Sequence, residues 1–80
     1  MSELTMLRYR ISETEKTVAE LELKIDLDMS DLRQRLDPFI EDVSHLKIEE
    51  CRVHFDRLES EIIELRLSKD KLSKMQKELA

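Results

Sequence analysis

Cys51 and His54 stand three residues apart, a spacing that puts both on one face of a helix, and His45 lies one to two turns earlier. Thiolate and imidazole are metal ligands, but zinc takes three or four of them in a closed set. The chain has one cysteine, and neither His45 to Cys51 nor His45 to His54 is a same-face helical spacing. The group therefore reads as a small apolar cysteine in a packed face beside two partly exposed histidines. No metal and no other cofactor is expected. Asp42 and His45, in the run DVSH, have the i, i+3 spacing of the Glu-x-x-His pairs in di-iron helical bundles. Such sites need two of these pairs and further inward-facing glutamates. One pair, with Asp in place of Glu, reads as solvated charge.

Nor does a set of nucleophile, base and orienting group stand out. The chain contains no glycine from which a phosphate-cradling loop could be built. The neighbouring acids Glu49 and Glu50, and Glu59 and Glu61, read as surface charge. Catalysis also needs a concave pocket, which two helices rarely enclose. The chain is expected to be non-enzymatic.

The elements that carry these residues follow from composition and periodicity. Charged residues make up 41% of the 80 positions and aromatics 4%, with no Gly and one Pro, which is the profile of a long helix or coiled coil. A chain of this length forms at most one domain and often needs a partner subunit to bury enough surface. Eight apolar residues recur seven apart: Leu4, Ile11, Val18, Ile25, Leu32, Phe39, Leu46 and Val53. That regularity argues against disorder and for helices lying along one another.

A first helix is read over residues 2–36, capped by Ser2, whose hydroxyl can accept from a free N–H of the first turn. Its apolar stripe is Leu4, Leu7, Ile11, Val18, Leu21 and Ile25, with Thr14 in one polar slot. Beyond Ile25 the stripe steps to Met29, Leu32 and Leu36 while Asp28 occupies the old slot, as in a four-residue stutter. A break is placed at residues 37–38. Pro38 suits the first position of a second helix, Asp37 suits its cap, and Glu41 and Asp42 suit its positive end. That helix is read over residues 38–79, with Phe39, Val43, Leu46, Ile48, Cys51, Phe55, Leu58, Ile62, Leu65, Leu72 and Leu79 on its apolar stripe. In ELELKIDLDM the apolar residues alternate like a strand. Leu, Glu and Lys favour helix, so the segment is read as a helix with two apolar faces. Leu23 and Leu27, and likewise Ile63 and Leu67, then fall off the seam and offer a second interface.

The reading is an all-α single module, residues 1–80. Its two long helices form an antiparallel hairpin, assembled as a homo-oligomeric bundle. The competing architecture is one Pro-kinked helix of about 120 Å in a coiled coil, favoured by the heptad phase that runs unbroken from Leu32 through Phe39. The expected work is protein–protein interaction: oligomerisation or scaffolding, with a second copy as partner. An adaptor or chaperone-like protein that binds another protein's helix is the alternative. A weak nucleic-acid-binding regulator comes third. It is disfavoured by the net charge of −5, although Lys69, Lys71, Lys74 and Lys77 cluster near the end of the chain. No apolar run is long enough to span a membrane, the opening residues lack a signal-peptide core, and Cys51 has no intrachain disulfide partner. A cytoplasmic location is expected.

Overall fold

The computed structural model describes residues 2–37 and 39–80. Helix α1 spans Glu3–Arg35 and helix α2 spans Ile48–Leu79. They pack side by side in an antiparallel hairpin measuring 62 × 18 × 15 Å. The longest dimension is about half that of a continuous 80-residue helix, so the kinked single helix is not the architecture. Among the described residues no helix is long and apolar enough to cross a membrane.

Helix α1 begins at Ser2, whose Oγ accepts from the Thr5 N–H at 3.2 Å. This satisfies one of the free donors of the first turn. At the other end the Leu36 N–H bonds to the Leu32 carbonyl at 3.0 Å, and Arg33 and Arg35 lie against the negative end of the helix dipole. The strand-like stretch Glu20–Met29 is helical throughout.

The second helix starts at Ile48, ten residues later than the sequence reading places it. Pro38, expected to open that helix, lies outside the described residues. Around it the short polar side chains bond their own backbone. Asp37 Oδ1 accepts from the Phe39 N–H at 2.9 Å, and Asp42 Oδ1 accepts from the Ser44 N–H at 3.0 Å and the Ser44 hydroxyl at 2.7 Å. Asp42 thereby caps a single 3₁₀ turn, Val43–His45. These local bonds compete directly with a helical backbone. In this arrangement Phe39 is 88% and Val43 79% exposed, so no burial of these side chains opposes the local bonds.

The core is one seam between the helices. From α1 it takes Ile11, Leu21, Ile25 and Leu32, and from α2 Cys51, Leu58 and Met75, with Leu7, Val18, Leu65 and Leu72 half-buried along the same line. Its centre is the cluster of Ile25, Leu32, Cys51 and Leu58, flanked by Met29, Ile62 and Leu65. Both helices keep their own seven-residue phase. In α2 that row is Cys51, Leu58, Leu65 and Leu72, so the phase carried from Leu32 through Phe39 and Leu46 to Val53 ends at the connection. Leu46 is half-buried and Val53 exposed. The stutter after Ile25 is also absent. Asp28 stays in the seam and is buried, while Leu36 is exposed. Leu4, Phe39, Val43, Ile48, Phe55 and Leu79, also read on the apolar stripes, are exposed in the single hairpin.

Candidate interaction surface

Among the described residues, three polar side chains are buried in the seam: Thr14, Asp28 and His54. Thr14 turns its hydroxyl onto its own helix and donates to the Arg10 carbonyl at 2.8 Å. Asp28 and His54 belong to a polar layer that crosses between the helices with Arg57 and Glu61. The exposed Arg57 head donates from Nη1 to Asp28 Oδ1 at 3.4 Å. Glu61 faces Asp28 across the seam. Its Oε2 is buried and has no partner as an ionised oxygen, but a proton on it makes it a donor to the Asp28 carboxylate. The two titrations separate accordingly. The hydrogen bond from Glu61 chiefly holds Asp28 below the usual aspartate range, with help from Arg57. The same bond, burial and the Asp28 charge push Glu61 up.

This layer marks one long side of the hairpin as polar. On that side Arg35 also pairs with Glu50. An open cleft of about 240 Å³ there is lined by Lys24, Leu27, Asp28, Arg57 and Glu61.

The opposite side is apolar. Met29 and Leu36 are seven apart on α1; Ile48, Phe55 and Ile62 are seven apart on α2. Helical periodicity gives each row one face, and antiparallel pairing sets the rows side by side over the half of the hairpin nearest the connection. Leu36, Ile48 and Phe55 are exposed there, and Met29 and Ile62 are half-buried against the core. A cleft of about 210 Å³ opens between Leu36, Ile48, Cys51, Arg52 and Phe55. One heptad further along, Glu22 and Lys69 continue the two rows and close the apolar strip with an ion pair at 3.5 Å.

Of the residues read from the sequence as carrying chemistry, Cys51 and His54 do share a face, and both are buried in the seam. His54 is thus not the partly exposed residue the spacing suggested. His45 is exposed in the connection, 3.7 Å from Asp42. The Ser44 hydroxyl and N–H lower the Asp42 pKa, and nothing in that turn converges on a further ligand. Leu23, Leu27, Ile63 and Leu67 are exposed on the outer faces, Leu67 at 67% and Leu23 at 62%. Lys69 and Lys74 pair with Glu22 and Asp70, which gives part of the lysine cluster anionic neighbours within the chain. The sequence reading missed the roles of Arg57 and Glu61. The signal was Asp28 in a slot the heptad reserves for an apolar side chain, since a charge kept in a seam requires partners from the facing helix. Compared with known protein families, curated proteins and solved structures, the chain has no match.

Proposed function

We propose that this protein is a non-enzymatic self-association module in which hairpins pair through the apolar side bearing Met29, Leu36, Ile48, Phe55 and Ile62 to make a four-helix bundle. The observation that carries the reading is exposed surface. The chain exposes 6572 Å², whereas a folded monomer of 9.6 kDa exposes about 5,100 Å². An elongated shape accounts for part of the excess. The whole excess, about 1,500 Å², exceeds the roughly 800 Å² that one partner buries in a standard interface, so the hairpin has surface enough to give to one. The apolar strip beside the seam is where burial would gain most, because it already adjoins the core and its polar counterpart lies on the far side. The outer pairs Leu23 and Leu27, and Ile63 and Leu67, offer a second contact in a larger bundle.

Sedimentation equilibrium tests the proposal. The wild type should sediment as a dimer or larger at tens of micromolar, and Ile48→Glu with Phe55→Glu should be monomeric with its helicity retained. A monodisperse, folded wild-type monomer at high micromolar concentration overturns it. The cleft between Leu36, Ile48, Cys51, Arg52 and Phe55 favours one other reading, an adaptor that seats a side chain of another protein's helix there. A wild-type monomer would turn attention to that reading. A cytoplasmic location goes with either, supported by a lone Cys51 that has no disulfide partner in the chain.

A further inference from the structure

We propose that Asp28, Asp31 and His54 form an interhelical site for a divalent transition metal, with zinc the best match. Asp28 and Asp31 are one turn apart on α1, and His54 comes from α2. One ligand atom from each lies within 4.8 Å of the other two. The imidazole is the decisive member. His54 is 9% exposed, its Nδ1 is buried, and that nitrogen has no hydrogen-bond partner. A buried polar nitrogen without a partner calls for an explanation, and here it belongs to a ring facing two carboxylates.

One nitrogen and two carboxylate oxygens suit zinc, which takes three protein ligands and a water at open sites. Magnesium and calcium favour sets made of oxygen. Donor atoms about 2.1 Å from a shared ion lie about 3.4 Å apart in tetrahedral geometry. Side-chain rotation must therefore draw the triad in from 4.8 Å by about 1.4 Å at most, and Asp31 is exposed and free to turn. The cation that now neutralises Asp28 is Arg57, whose head is exposed and can swing into water. Arg57 thus competes with the metal. The site is independent of the apolar strip, so it stands or falls separately from self-association.

The test is calorimetric titration of the full chain with zinc ion alone, repeated with cobalt ion and read by visible absorption. One metal per chain should bind, with the absorption bands of a low-coordinate cobalt site. Asp31→Asn should weaken binding about tenfold or more, and His54→Gln at least as much. Arg57→Gln should tighten it, and His45→Gln should leave it unchanged. Because Asp31 and Arg57 are exposed, those two variants remain informative even if His54→Gln fails to fold. Absence of saturable binding below about 100 µM in the wild type, no weakening in Asp31→Asn, or loss of binding in His45→Gln would each overturn the proposal.

Discussion

Asp28 and Glu61 show how one misplaced charge organises a seam. Two carboxyls facing each other cannot both ionise cheaply, so Asp28, beside Arg57, ionises first and Glu61 holds its proton to a higher pH than a free glutamate does. The pH dependence follows in sign. Glu61 binds its proton more tightly folded than unfolded, so its contribution is present below about 4.5 and is lost as pH rises through its folded value. Asp28 acts in the opposite sense, and its contribution is lost only as pH falls below 3.8. Glu61→Gln, which can donate at any pH, should therefore melt higher than wild type at pH 7, and the difference should shrink towards pH 4. Circular-dichroism melts across that range check this; equal melting at pH 7 would show that no stability is lost at Glu61 by that pH. At Leu58, in the centre of the core, a substitution to Asp should unfold the chain. The buried charge would have no partner, and its cost of several kcal/mol is large against a total of about 5–15 kcal/mol.

At the scale of the element, the connection decides where the second helix begins. The sequence reading, with a helix from residue 38, has Phe39 and Val43 on a buried apolar stripe, and truncating residues so placed would cost about 2–5 kcal/mol. With α2 starting at Ile48 both side chains stand in water. Phe39→Ala and Val43→Ala should then each fall within about 0.5 kcal/mol of wild type. Leu32→Ala, in the buried cluster, should cost about 2–5 kcal/mol. Urea melts of the three variants separate the two arrangements, and a large loss in Phe39→Ala would restore the earlier start. Helix α1 has its own check. Ser2→Ala removes the acceptor for the Thr5 N–H, should cost about 1 kcal/mol, and should show as faster amide exchange in the first turn alone.

Over the whole molecule, the two long sides of the hairpin differ in kind. One carries Arg35, Glu50, Asp28 and Arg57; the other carries Leu36, Ile48 and Phe55. The polar layer is tied to this register, because sliding the helices by one turn would separate Asp28 from Arg57 and Glu61. Small-angle scattering should give a particle close to 62 Å long whether the hairpin is alone or paired side by side. A particle near 120 Å would require hairpins joined end to end or chains opened and exchanged.

Periodicity in the chain was enough to read two helices, the Ser2 start, and the line from Ile11 to Leu32. These depend on side-chain spacing within a single element, which the backbone geometry dictates. The later start of α2 was legible only in part. Asp37, Asp42 and Ser44 are plain helix competitors, but whether they prevail depends on what Phe39 and Val43 could touch, and that is a tertiary quantity. Phe55 and His54 illustrate the same limit. They are adjacent, and a shift of one position in helical phase exchanges buried for exposed; the phase of α2 is set by its packing on α1, not by the run of heptads that precedes it. The meeting of Asp28, Asp31, His54, Arg57 and Glu61 lay further out of reach, since residues almost thirty positions apart are joined only by the register of the hairpin. What the chain determined by itself was which faces are apolar. Which of them meet, and which polar groups are trapped between them, was decided by the packing of the two helices, because contacts between distant parts of the chain exist only in one register.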